Sequence, residues 1–157
     1  MLDMVIDENL VELNIAAQAK EEIIHLLSSK LEKSGFVEEG FEQAVIAREK
    51  AYPTGLPTKI PVALCHVEAE YVKRTTMSLA VLSNTVQFHD MGDPENVLDV
   101  EIVFLLTILD PKQQVIYLRR LMELFKDDTL LNLKAAGSKQ EVVSILLRKI
   151  QNWKKGN

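Results

Sequence analysis

Along the first third of the chain the apolar positions change period. Val11, Leu13 and Ile15 alternate with Glu12 and Asn14, the period of two that suits a short half-buried strand. From Ala16 to Lys33 the pattern turns helical. Ile23, Ile24, Leu27 and Leu31 share one face, with Lys20, Glu21, Ser28 and Glu32 largely off it, and Gly35 is placed to end the helix. A second helical stretch between Val37 and Tyr52 uses Phe41, Ala44 and Val45 as inner positions, with Ala47 at their margin. Pro53 and Gly55 then end regular structure.

The middle of the chain consists of short apolar segments rich in Val, Ile, Leu and Thr: Ile60–Leu64, Thr76–Leu82 and Glu101–Leu109. They have strand length and are separated by polar turns at Ser83-Asn84-Thr85 and Asp90–Asn96. Asp110-Pro111 reads as an N-cap followed by proline at the first helical position, opening a helix whose inner face is Val115, Leu118, Leu121, Met122 and Phe125. Ser138-Lys139-Gln140-Glu141 fits a capping box, and Val142, Ile145, Leu146 and Ile150 give the last helix its apolar stripe. Helices before, between and after the strands predict an α/β fold, α+β in some schemes: a three-layer α/β/α domain with a mixed sheet flanked by helices. Chemistry in such domains tends to sit on loops just past strand ends, which directs attention to the residues after Ile60–Leu64.

Composition narrows the setting. With 157 residues, 47% apolar and 26% charged, the chain is expected to form one domain over 1–157, and disorder is set aside. A net charge of −5 and a pI near 5.3 argue against a non-specific nucleic-acid binder or a polybasic membrane-surface protein. The single Cys65 allows no internal disulfide, the segment Met1–Asp7 lacks the features of a signal peptide, and the longest apolar stretch is too short to span a bilayer. A cytoplasmic location is the expectation. The basic run Arg148 to Lys155 around Trp153 reads as the cationic end of a helix.

Of the three histidines, His25 lies inside the first helical pattern with Glu21 one turn back, and His89 sits beside Asp90 next to a turn. Both read as surface positions. His66 ends the apolar run Val62-Ala63-Leu64-Cys65, where a buried strand emerges into a loop, and can be either a satisfied boundary histidine or a reactive one. Cys65, without a second cysteine to complete a metal set, reads as a small buried apolar residue.

The string Ala47-Arg48-Glu49-Lys50-Ala51-Tyr52-Pro53-Thr54-Gly55-Leu56, followed by Ile60-Pro61-Val62-Ala63-Leu64-Cys65-His66, resembles the signature of the mannitol/fructose-type IIA domains of the bacterial sugar phosphotransferase system. Val67-Glu68-Ala69-Glu70-Tyr71-Val72, the Val86-Gln87-Phe88 and Met91-Gly92 region, and Leu109-Asp110-Pro111 before a Leu-rich helix are most similar to its galactitol-specific branch. The resemblance implies a histidine phosphotransferase that takes a phosphoryl group from the phosphocarrier HPr on His66. It then passes the group to a cysteine of a IIB component, for uptake of galactitol or a related sugar. It implies Arg48 as the clamp on phosphoryl charge, and no cofactor or metal. Thr54 reads either as an accessory residue or as part of the turn alone, and Glu68 either as an accessory that orients the imidazole or shapes the docking surface, or as a solvated loop carboxylate. Membrane association would be indirect, through the IIB/IIC transporter, with no nucleic acid as partner.

Two departures stand out. Cys65 replaces the proline that usually precedes the histidine, and Lys112, Gln113 and Gln114 stand where mannitol-type members carry a second active-site histidine. A lysine or glutamine donates hydrogen bonds but does not titrate as histidine does. Leu56, Val67, Tyr71 and Val72, with Arg48 and Lys73 at the edge, are candidates for a docking ring or for core. The alternative function is a phosphorylation-dependent regulatory protein uncoupled from a transporter; a degenerate member that only binds is a third.

Overall fold

The computed structural model describes residues 3–155, so Met1 and Leu2, part of the N-terminal segment discussed above, lie outside it together with Gly156 and Asn157. Five strands, β1 (Val11–Ile15), β2 (Gly55–Leu56), β3 (Val62–Cys65), β4 (Thr76–His89) and β5 (Val97–Thr107), form one open sheet in the order β1-β4-β5-β3-β2. β1 runs parallel to β4 and β3 parallel to β5, while β4–β5 and β2–β3 are antiparallel. The sheet is therefore mixed. Helices α1 (Lys20–Lys33), α2 (Phe41–Ala51), α3 (Gln114–Leu124), α4 (Thr129–Ala135) and α5 (Lys139–Lys155) complete the fold.

Strand alternation divides the interior in two. Val62 and Leu64 of β3 join Phe104 of β5 in a core with Leu121, Leu133, Leu146 and Ile150 from α3, α4 and α5. Ala63 and Cys65 face the other way, into a core with Ile23, Leu27, Phe41 and Val45 from α1 and α2. All four residues of β3 are buried, as expected of a strand covered on both faces. Among the described residues, no helix is long and apolar enough to cross a membrane.

Several boundaries differ from the sequence reading. The first helix begins at Lys20 rather than Ala16, because the Glu22 carboxylate accepts the backbone N–H groups of Gln18 and Ala19 and Asn84 holds Ala17 on both its N–H and its carbonyl. Its Ser28 lies inward, not outward. Gly35, at φ +75°, does end the helix: the Phe36 N–H returns to the Leu31 carbonyl, the six-to-one bond of a Schellman cap. In α2, Ala47 is exposed and the inner stripe is Phe41, Val45 and Glu49. Gly55 does not end regular structure but starts β2; a Cβ there would come within 2.5 Å of the His89 carbonyl oxygen, so only glycine fits.

Ser83-Asn84-Thr85 is not a turn: β4 continues through it by an irregularity between Val81 and Val86. The turn at Asp90–Asn96 is real and closes the β4–β5 hairpin, with the Asp90 N–H bonded to the Asn96 carbonyl. Asp110 caps a 3₁₀ turn at Pro111–Gln113 before α3. That tighter turn rotates the helix, so Val115 is 63% exposed while Tyr117 and Leu124 join Leu121 and Phe125 in the core. Ser138 caps α5 as expected, its hydroxyl accepting the Glu141 N–H while the Glu141 carboxylate reaches back to the Gly137 N–H. Trp153 is core, packed edge-on to Tyr117.

Candidate active site

His66 follows the last residue of β3, at the edge where β5, parallel to β3, also ends. This is the kind of strand-end position where open α/β sheets place ligands. The imidazole is 6% exposed and held by its own strand: Nδ1 lies 2.9 Å from the Leu64 carbonyl oxygen. A carbonyl only accepts, so Nδ1 carries the proton and Nε2 keeps its lone pair.

Arg48, in the last turn of α2, aims at that nitrogen, with Nη2 3.4 Å from Nε2. Its guanidinium also stacks over the Tyr52 ring, 4.8 Å from the centroid. Burial holds the His66 imidazole below its ordinary pKa and the Arg48 charge pushes the same way, against the Leu64 carbonyl and the carboxylates of Glu49 and Glu68. The arrangement is thus a neutral imidazole with one bare nitrogen beside a fixed cation, suited to accept an electrophile whose equatorial oxygens carry negative charge.

Thr54 is buried, and its hydroxyl proton goes to Glu49 Oε1 at 2.7 Å and its N–H to Glu49 Oε2 at 2.8 Å. Cys65 is buried, its Sγ 3.8 Å from the Thr54 hydroxyl oxygen. Burial, with the nearby Glu49 carboxylate, pushes its thiol well up. Glu68 is exposed and shares a shallow groove of about 280 Å³ with Arg48, Tyr52 and Tyr71. Lys112, Gln113 and Gln114 lie in the segment that leaves the end of β5, at the same edge as His66.

The remaining sequence expectations sort by burial. Val67 and Val72 are core residues, not exposed members of a docking ring, because Val67 packs into the α1/α2 core and Val72 bridges to Val37. The exposed apolar side chains near this edge are instead Tyr52, Leu109, Val115 and Ile116. Lys73 pairs with Glu38. His25 is exposed as expected, but its partner is Glu42 of α2 rather than Glu21; His89 bonds the Pro94 carbonyl. Glu49 is the residue that sequence reasoning passed over, although its spacing of four from Phe41 through Val45 already put it on the inner stripe.

The chain is similar to known proteins in sequence and in fold. Residues 4–149 match the family model described as the phosphoenolpyruvate-dependent sugar phosphotransferase system, EIIA 2. The galactitol-specific EIIA component of Escherichia coli K12 is 31% identical over 101 residues, covering 64% of this chain and 67% of that protein. The crystal structure of IIA mannitol from Escherichia coli superposes with a TM-score of 0.72 at 24% identity, covering 89% of this chain and 97% of the other. A complex of the Escherichia coli mannitol enzyme IIA with phosphorylated enzyme IIB gives a TM-score of 0.70 at 25% identity, covering 91% and 99%.

Proposed function

Because the chain belongs to the EIIA 2 family of the phosphoenolpyruvate-dependent sugar phosphotransferase system, we propose that it is a phosphoryl carrier whose acceptor atom is Nε2 of His66. One observation supports this above all. Nδ1 is committed to the Leu64 carbonyl, which leaves Nε2 unprotonated with its lone pair facing the Arg48 guanidinium.

The Nε2 lone pair attacks phosphorus on phosphorylated HPr, and the bond from phosphorus to the donor's histidine nitrogen breaks, its electron pair staying on the donor ring. Arg48 offsets charge on the equatorial oxygens as they pass. Nδ1–H keeps its bond to Leu64 throughout, so the ring needs no tautomer change to take up or release the group. In the second step a IIB cysteine thiolate attacks phosphorus and the P–Nε2 bond breaks, returning the lone pair to His66. Tyr52, Leu109, Val115 and Ile116 supply an apolar rim for each partner in turn. The galactitol-specific relative supports galactitol or a related sugar as the cargo of the transporter served, and the IIA–IIB complex supports a IIB partner.

Incubation with ³²P-labelled phospho-HPr tests the reading. Acid-labile label on His66, absent from His66→Ala, is expected; label that persists in His66→Ala overturns it.

A further inference from the structure

We infer that Glu49 is a positioning residue for His66, acting through Thr54 and the Leu64 peptide to fix which imidazole nitrogen stays bare. Its effect on phosphoryl transfer rests on the reading of His66 as acceptor; its effect on the free imidazole does not.

Glu49 is 3% exposed, an unusual place for a glutamate in the last turn of a helix, where the neighbouring Lys50 is exposed. Burying a carboxylate is costly unless its lone pairs are used. Here both oxygens accept from one residue: Thr54 N–H at 2.8 Å and Thr54 Oγ1–H at 2.7 Å. Thr54 is thereby fixed at backbone and side chain together. Its carbonyl accepts the Leu64 N–H at 3.2 Å, and the Leu64 carbonyl accepts the His66 Nδ1–H at 2.9 Å. A series of hydrogen bonds, joined through the backbones of Thr54 and Leu64, thus runs from carboxylate to turn, to strand, to imidazole.

The chain has a direction. Each Thr54 donor points to Glu49, so the anchor must offer two acceptors, which a carboxylate does and an amide does not. The same helical turn carries Arg48, so one anchor sets both the peptide beneath the imidazole and the helix that aims the guanidinium. Buried polar networks of this kind specify a single arrangement where plain apolar packing would tolerate several.

Glu49→Gln keeps the volume but turns one acceptor into a donor facing a donor. Thr54→Val keeps the N–H and removes only the hydroxyl. The test is nitrogen-15 NMR of the His66 ring in the unphosphorylated full chain at neutral pH, paired with the acceptor rate from phospho-HPr. The native protein is expected to show the Nδ1–H tautomer alone. Glu49→Gln is expected to show both tautomers and a roughly tenfold slower rate, a smaller loss than the roughly hundredfold that a 1 Å displacement of a reacting atom can cost, with Thr54→Val between the two. Folded variants with a native His66 tautomer overturn the inference, and should Glu49→Gln fail to fold, Thr54→Val decides in the same way. Should native protein take no label, the functional reading fails while the tautomer measurement still decides the role of Glu49.

Discussion

The sheet face covered by α3, α4 and α5 packs Phe104 against Phe125 and Tyr117 edge-on to Trp153 in an apolar core, with Glu12 of β1 and Glu101 of β5 paired to Lys139 and Lys134 of the helices. The face covered by α1 and α2 is equally apolar along most of its length, from Ile23 and Leu27 to Phe41 and Val45. At one strand end it changes character, burying Glu49, Thr54, Cys65 and His66 side by side. The first face can lose a contact and lose only stability. At the second, the polar groups are spent on one another until a single imidazole nitrogen is left over, and that remainder is the chemistry. Burial of polar groups beside a strand end, rather than an open pocket, marks the site.

The contrast can be broken from either side. The largest effect belongs to the scaffold face: Leu146→Ala is expected to cost about 3 kcal/mol in denaturant unfolding, while the fraction that remains folded accepts phosphoryl groups at the native rate. A proportional loss of acceptor rate in that fraction would show that the two faces are not separable. Next comes Arg48→Ala, expected to slow acceptance from phospho-HPr about a hundredfold, the scale of losing one charged stabiliser of a transferring group. Urea titration of the same variant should show a change of about 0.5 kcal/mol or less. Ser138→Ala, which removes the α5 cap far from the histidine, is expected to cost about 1 kcal/mol of stability and nothing in rate.

The smallest expected effect is a displacement along the pH axis. Since burial and then Arg48 lower the His66 pKa, the imidazole stays neutral below its unfolded value of about 6.5, so the acceptor rate is expected to hold as pH falls through that value and to drop only further down. Stability moves with the same group. Between the folded and unfolded pKa values the unfolded chain binds the extra proton, so this contribution is present above about pH 6.5 and is lost as pH falls toward the folded value. A rate that halves at or above pH 6.5 would contradict the burial argument.

Much of the scaffold was legible because periodicity survives burial: Val11–Ile15 appears as a strand with the expected bounds, and the α5 stripe of Val142, Ile145, Leu146 and Ile150 is buried as predicted. What failed was set by tertiary partners. Ser83–Thr85 has turn composition yet stays in β4, where the Asn84 side chain holds Ala17. Val115 has the right spacing for a continuous helix from Asp110, but the 3₁₀ turn shifts the phase. The short α4 carries too few turns to announce itself against Lys126-Asp127-Asp128. At the site, the juxtaposition of Arg48 and His66 was legible only through the resemblance, because 18 residues separate them. The tautomer of His66 was not legible at all, since it depends on a carbonyl of its own strand bending back to Nδ1.

The central claim, that Nε2 of His66 is the atom left free to carry the phosphoryl group, is tested most directly by nitrogen-15 and phosphorus-31 NMR of the phosphorylated full chain. The account predicts one-bond coupling from phosphorus to Nε2 of His66 with Nδ1 still protonated. Coupling to Nδ1, or phosphate on another residue, would contradict it.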